Sequence, residues 1–519
     1  MKSFKSVILI FALTAMIPMQ IFAQKQQIRH YDTDYVFKIL EKLILPNDSV
    51  ADAARNTILA MSEEAWMSRD SRMHDALKNA IIPFTEKFHA DECAHFLVAQ
   101  LGKVCMAGDI NDVMRLAEND EIADDVIRMV GSIDGSGSYI ENYIMTHHDN
   151  LKYKAALAYG VGKQKVASME NELVSWLKGA DEPTKIDIYK ALVVIRSNDK
   201  TTSTVKKGAK KLLKSKSTAS RIAGLEIMTD IEGEKAMPTL YKALKDKSGD
   251  VRVVALDLMK PYVNQEVVKN VMKICKKGDA LVDAINWLGD IKDDSQMELI
   301  KKQLSAENPK LVEAAVRAIF KIDNVDGINA VKPMFGGDYQ EIIKEAMIVY
   351  EGNYRDVMND VMRMGTPRQR LGALQIVENR PEPGLNERVR EQTGHNNQEV
   401  KDMAYKVLKL VVVPANANAL KNMLEICDDK YVEDVQLAIK VAMKKAPGNV
   451  KNDFASTLKH VKPDKMPRYY KVFAYFGTEL CVDKLIDAYQ NGPNSAEAKA
   501  ALLLVEDEAY QQKISEALK

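Results

Sequence analysis

The sequence predicts an all-α protein built as a solenoid of roughly fourteen two-helix units. Three observations predict it. Gly and Pro are sparse, 25 and 16 in 519 residues, and aromatics make up only 7%, which suits helices rather than sandwiches or propellers. Short amphipathic segments follow one another with apolar residues at i, i+3 and i+4. A small or aliphatic anchor also recurs at one point of that pattern: Leu97, Val126, Ala156, Ala191, Gly224, Ala255, Ala284, Ala315, Ala346, Ala373, Ala404, Ala438, Val472 and Ala500. The intervals run from 27 to 35 residues and average 31, a fixed self-similarity that marks a solenoid or an array.

In chain order, residues 1–23 read as a signal peptide. Lys2 and Lys5 precede an apolar stretch from Val7 to Ala23, broken by Pro18 and Gln20, and cleavage is expected after Ala23. No Cys follows the expected cut, and no other apolar run is long enough to span a bilayer. The expected location is periplasmic or secreted. Residues 24–90 form an atypical N-terminal helical cap, with helices expected over Tyr31–Leu45, Val50–Trp66 and Asp70–Phe88. Residues 91–519 form the repeats. Gly131 to Ser138, GSIDGSGS, is the expected flexible joint.

The best-formed unit runs from Gly233 to Tyr262. Leu240, Leu244, Val251, Val254, Ala255, Leu258 and Met259 fall on a helical core spacing. Burial is expected for Leu240, Val254, Leu258 and, in the next unit, Ile285. Pro238 sits in a first helical turn, where its missing N–H costs least. Ser248-Gly249-Asp250 makes the turn, with Asp250 as the expected cap. A later unit repeats the plan: Met297, Ile300 and Leu304, then Asn308-Pro309, then a helix over Leu311–Ile322. The segments Lys269–Cys275 and Lys421–Cys427 also match, 152 residues apart and close to five units, which places Cys275 and Cys427 at equivalent buried helix ends.

The pattern carried by Ala236, Pro238, Leu240, Leu244, Asp246, Asp250, Val251, Arg252 and Ala255 resembles the HEAT-like repeat of the armadillo superfamily over roughly residues 90–519. The resemblance implies an armadillo-type superhelix. The period and the missing Trp-Leu-Gly-Tyr pattern disfavour tetratricopeptide repeats. The Phe-Ala-Gln end of the leader resembles exported proteins of Bacteroidetes-type bacteria. The arrangement is similar to repeat regions found beside 3-keto-disaccharide-hydrolase-type domains, although no such β-rich domain is visible. The end at Ala517-Leu518-Lys519, inside an amphipathic pattern, suggests a fragment or a docking end.

No catalytic constellation emerges, and no cofactor or metal is expected. His89-Ala-Asp-Glu92-Cys93-Ala-His95 is the densest set of candidate ligands, but Cys93 and Glu92 point to different helix faces, and zinc needs three or four converging ligands. Helix capping by Asp91 and core packing of Cys93 explain the group better. His147-His148-Asp149 follows a helix end, where cations are ordinary. The iron-binding HEAT-like hydroxylases use His-Glu dipeptides, and this chain has none. The bilin-lyase signature, a P-loop, Gly-x-Ser-x-Gly and Gly-x-Gly-x-x-Gly are also missing. The five cysteines, Cys93, Cys105, Cys275, Cys427 and Cys481, are widely spaced and read as buried thiols, not as a disulfide framework.

Lys+Arg and Asp+Glu both number 73, so the balanced charge disfavours a nucleic-acid partner. Its distribution is uneven. Residues 91–150 hold 12 acids and 3 bases, and residues 200–310 hold 22 bases and 15 acids. Lys206, Lys207, Lys210, Lys211, Lys214 and Lys216 form the densest basic run. These segments read either as partner-selecting patches or as solvated faces. Trp176 and Trp287 are candidates for a binding surface or for inter-repeat packing. Asp48-Ser49-Val50 matches the Bacteroidetes O-glycosylation pattern, with Ser49 in an expected turn. The functional expectation is a non-catalytic binding or scaffolding solenoid whose partner is another protein, with a polysaccharide as the alternative. The rival expectation is a repeat region or subunit of an exported carbohydrate-processing system.

Overall fold

Side-chain caps set many of the helix starts. Asp32, Asn47, Asp70, Asp181, Asn198, Ser217, Asn264, Asn308, Asn324, Asn353, Thr366 and Asn397 each accept a hydrogen bond from a backbone N–H in the first turn. Each satisfies one of the donors that a helix start leaves without an intrahelical partner. The computed structural model describes residues 32–88, 92–148 and 151–519, and among them no strand occurs.

The chain divides into two compact units, Met1–Leu240 and Tyr241–Lys519. The first unit contains α1 (Thr33–Leu40), α2 (Asp48–Ser68), α3 (Ser71–Lys87), α4 (Glu92–Val104), α5 (Ile110–Met114), α6 (Ala123–Ser132), α7 (Gly137–Thr146), α8 (Lys154–Lys163), α9 (Glu170–Trp176), α10 (Glu182–Ile195), α11 (Asp199–Leu212) and α12 (Thr218–Glu232). Helix α13 (Met237–Ala243) lies at the division. The second unit begins with α14 (Gly249–Met259), α15 (Gln265–Ile274), α16 (Gly278–Asp290), α17 (Met297–Lys302), α18 (Pro309–Ile322), α19 (Val325–Val331), α20 (Gln340–Ile348), α21 (Tyr354–Met364) and α22 (Pro367–Asn379). It continues with α23 (Asn386–Gln392), α24 (Gln398–Val411), α25 (Ala417–Ile426), α26 (Val432–Lys444), α27 (Gly448–Thr457), α28 (Met466–Phe476), α29 (Glu479–Asn491), α30 (Ser495–Leu502) and α31 (Gln511–Ala517).

Every anchor falls on an even-numbered helix, from Leu97 on α4 to Ala500 on α30. Within each unit consecutive even helices pack on one another: α4 to α12 in the first, α14 to α30 in the second. This is the stacked-pair architecture of an α-solenoid with HEAT-like repeats. Thirteen of the fourteen anchors are buried, and Ala500 is the exception. On α30 the buried positions are Ala498 and Ala501, so the register expected there is displaced.

Small residues, the anchor Ala191 among them, stand where neighbouring helices bring their backbones close. A Cβ on Gly162 of α8 would stand 2.8 Å from the Ala191 Cα of α10, and one on Gly289 of α16 would stand 2.9 Å from the Ala318 Cα of α18. Both are far inside ordinary carbon contact. The segment expected to be a flexible joint behaves in the same way. Gly131 ends α6 against the Gly160 Cα, Ile133 and Ser136 are buried, and Gly137 already starts α7. Gly131 serves close packing, whereas Gly135 supplies the left-handed conformation of the turn.

In the unit around Ala255, Leu240, Leu244 and, in the next unit, Ile285 are buried as expected. Val254 and Leu258 are only half-buried. Helix α14 instead turns Val251, Arg252, Ala255, Leu256 and Met259 inward. Ser248 rather than Asp250 is its N-cap residue, and Asp250 lies in the first turn. Arg252 explains the rotation. Its buried guanidinium donates to the Asp246 carbonyl at 2.9 Å and pairs with Asp283 of α16 at 2.7 Å, joining one repeat to the next. Arg221, also four residues past its N-cap, donates to the carbonyls of Ser215 and Lys216, both at 3.1 Å.

The segment expected to be an N-terminal cap contains α1, a 3-10 turn over Glu41–Ile44, α2 and α3. Its apolar residues, from Val36 through Phe84, share one core with Leu97 to Ile133 of the first repeats. His74 of α3 is buried there. Its ring nitrogens lie 3.0 Å from the Val104 carbonyl and 2.9 Å from the Ala65 carbonyl, which ties α3 to the C-terminal ends of α4 and α2. Residues 1–23 and the expected cut after Ala23 lie outside the described residues.

Candidate interaction surface

One concavity is built from helix ends. Helices α16, α18 and α20 finish beside one another, and the residues that stop them leave a pocket of about 560 Å³. Phe320 of α18 and Tyr350, just past α20, form its buried apolar base, ring edge to ring face with centroids 5.4 Å apart. Val349 stands on its wall, 63% exposed. Asp323 ends α18 in the left-handed conformation and accepts a hydrogen bond from the Tyr350 hydroxyl. Burial, and then this bond to Asp323, push the phenol well above its ordinary range, so it stays a neutral donor. Arg380 donates to the carbonyls of Met347 and Tyr350 at 2.7 and 2.6 Å, filling acceptors left open at the end of α20. A Cβ on Gly352 would overlap both Asp323 and the Tyr350 ring, so only glycine fits there.

The rim is charged but balanced. Lys292, Arg317 and Lys321 face Asp323, Glu345 and Glu351. Arg317 pairs with Glu345 at 3.1 Å, Lys321 with Asp290 at 2.6 Å, and Lys292 with Glu351 at 3.9 Å. A shallower concavity adjoins it, sharing Lys292 and Asp323 and bordered by the exposed Val325. An apolar floor inside a self-neutralised rim can receive an uncharged side chain, and it offers no surplus charge to an ionic metabolite. Sequence reasoning missed Phe320, Val349, Tyr350 and Gly352. The available signal was the Val-Tyr-Glu-Gly break after α20, which reads as an ordinary turn without the neighbouring helix ends.

The residues singled out in the sequence lie elsewhere. His89 and Asp91 fall outside the described residues, as does the Glu92 side chain. His95 on α4 is bonded to Asp125 on α6, an exposed inter-repeat contact. Cys93 packs against the first core, and among the described residues no group of three His, Cys, Asp or Glu is placed to hold a metal. His147 ends α7, stacked on Tyr143 with one ring nitrogen 2.9 Å from the Tyr143 carbonyl. None of the five cysteines is in a disulfide. Burial pushes the Cys105 thiol up to about 12 and that of Cys275 to about 11, so neither is a thiolate nucleophile. Cys275 and Cys427 occupy the same C-cap position of α15 and α25, matching their sequence equivalence.

Trp176 and Trp287 are buried, which assigns them to packing rather than to a binding surface. Trp176 donates to Glu172 at 2.8 Å. Ser49 is exposed in the first turn of α2 rather than in a loop, and its hydroxyl donates to Asn47 at 2.9 Å. Four carboxylates of the acidic segment have basic partners inside or just outside it. Asp109 pairs with Lys78, Asp120 with Lys152, Asp124 with Arg128 and Asp125 with His95.

No described helix is long and apolar enough to cross a membrane. No family model matches the sequence, and no curated protein matches it. Among solved structures, the chain is similar to Kap95p in a structure with RanGDP, at 10% identity and a TM-score of 0.42, covering 94% of this chain and 79% of that one. It is similar to yeast importin-β (Kap95p), at 10% identity and 0.37, covering 94% and 75%. It is also similar to Kap121p bound to RanGTP, at 11% identity and 0.32, covering 94% of this chain and 54% of that one.

Proposed function

We propose that this chain is a non-catalytic, exported binding or scaffolding protein that holds another protein through the repeat surface. The observation that carries the reading is the pocket across the ends of α16, α18 and α20, with Phe320 and Tyr350 as its floor and a rim of paired charges. A partner that seats one Leu- or Phe-sized side chain there gains about 1.5–3 kcal/mol from burial. The test is affinity capture from the native host with the intact protein and with Val349→Asp, quantified by mass spectrometry. Val349 is largely exposed, so the variant folds. A partner retained by the parent and depleted about tenfold or more by Val349→Asp is expected. Equal recovery by both proteins overturns the pocket assignment. Recovery of a glycan-degrading enzyme as that partner would select the carbohydrate-processing variant of the reading.

Export rests on the basic start and apolar stretch of residues 1–23. Its test is the N-terminus of material from the native host: Gln24 is expected, and retained Met1 contradicts export. The Bacteroidetes-type pattern at Ser49 adds an expected glycan on the peptide that contains it. An unmodified peptide mass removes that expectation. Stability and partner capture are expected to be insensitive to EDTA and to His95→Ala, and stoichiometric zinc or iron lost on His95→Ala overturns the non-catalytic reading.

A further inference from the structure

Helix α11 differs from the helices that carry the pocket. Its inner face buries Thr201, Val205, Gly208, Ala209 and Leu212. Its outer face presents Lys200, Lys207, Lys210, Lys211 and, in the turn that follows, Lys214, all exposed. At 100° per residue these five fall within a stripe about 100° wide and about 21 Å long. None of the five forms a salt bridge with a described residue, whereas Lys206, at the edge of the stripe, reaches Glu232 at 3.4 Å. By comparison, Lys190, Lys321 and Lys406 on three of the even helices each have a carboxylate partner from a neighbouring repeat. Self-repulsion along α11 is therefore left uncompensated within the fold. Positions 211, 214 and 216 are also lysine at the register one repeat later, as Lys242, Lys245 and Lys247.

We propose that the α11 lysine stripe docks an acidic polypeptide segment. The proposal rests on the scaffold reading above and names a second contact, separate from the pocket. Charge complementarity supplies the attraction. The choice of polypeptide follows from what the stripe lacks. Residues 197–217 contain no aromatic residue and no arginine, so there is no stacking platform for sugar rings or bases and no planar fork for bidentate phosphate recognition. Lysine ammonium groups on flexible stems match the mobile carboxylates of Glu and Asp side chains.

The experiment uses the full chain and fluorescence anisotropy with labelled poly-L-glutamate, with a sulfated polysaccharide of similar charge as the comparison arm. The variant K207E/K210E/K211E/K214E is set against K444E/K445E/K451E/K459E, which makes the same change in net charge at exposed lysines of the second unit. Circular dichroism checks that both remain helical. Poly-L-glutamate binding at low salt is expected to weaken by about tenfold or more in the α11 variant and by less than about threefold in the other, and to vanish near 0.5 M salt. Equal losses in the two variants, or tighter binding to the sulfated polysaccharide than to poly-L-glutamate, overturn the proposal. Full capture of the native partner by the α11 variant also overturns it, while leaving the pocket reading intact.

Discussion

Replacing Gly162 with alanine should destabilise the first unit, although the same change in an unobstructed helix interior stabilises it by about 1 kcal/mol. The added Cβ would stand 2.8 Å from the Ala191 Cα and 3.0 Å from its Cβ. Comfortable carbon contact begins near 3.5 Å, so α8 and α10 must part by about 0.7 Å. The obstacle is backbone, so no rotamer change relieves it. Overpacking of this kind costs about 1–3 kcal/mol, which leaves a net loss of up to about 2 kcal/mol after the gain in helix propensity. Gly448→Ala is the matched control, since nothing lies within 4 Å of its added Cβ, and it should be neutral or stabilising by up to about 1 kcal/mol. Hydrogen exchange of the α8 and α10 amides, together with urea unfolding followed at 222 nm, reads both variants. Unchanged or increased protection of α8 and α10 in Gly162→Ala would refute backbone proximity as the reason for the small residues where α8 meets α10.

His74→Leu should cost about 1–3 kcal/mol, because the buried ring N–H that faces the Val104 and Ala65 carbonyls is lost; a change below about 0.5 kcal/mol in urea unfolding would show that the ring is merely filling space. Glu170 should make the first unit acid-sensitive. Burial opposes its ionisation, but hydrogen bonds from Ser197, Thr201 and Asn198 outweigh burial and hold the carboxyl below its ordinary range. Because the folded value is depressed, its contribution is present above the unfolded value of about 4.3 and is lost as pH falls through the folded one. The stability gap between the parent and Glu170→Gln, clear at pH 7, should therefore narrow as pH falls below about 4.3. A gap constant with pH would contradict the assignment.

The fold was legible because its cause is local and repeated. A 31-residue recurrence of small or aliphatic residues marks the inward face of each second helix, so Ala156, Ala191 and Ala315 could be placed in the core from spacing alone. The Asp-Val-Arg pattern likewise identified Arg252 before its partners were visible. The failures came where a tertiary partner changes the rotation of a helix. Val254 and Leu258 have the right spacing, but the Arg252–Asp283 pair turns α14 so that Leu256 is buried instead. The pocket was illegible for a related reason. Phe320 lies 29 residues before Val349 and Gly352 follows three residues later, and their meeting depends on where three helices stop. Charge counts misled in one direction: the acidic segment looks like a patch, yet Lys78 and Lys152 from outside it neutralise two of its carboxylates.

The central claim is that within each unit every repeat lies against its immediate neighbour along the chain. Zero-length carbodiimide cross-linking tests it most directly, since it joins only amines and carboxylates already in contact. The expected products in the second unit are Lys260–Asp290, Lys321–Asp290, Lys332–Asp360, Lys401–Asp428 and Lys430–Asp402, with separations of 27 to 31 residues. A ladder of links at about one repeat, read by peptide mass spectrometry, is the predicted result. Links scattered over unrelated separations, with these five pairs missing, would contradict the stacked-repeat account.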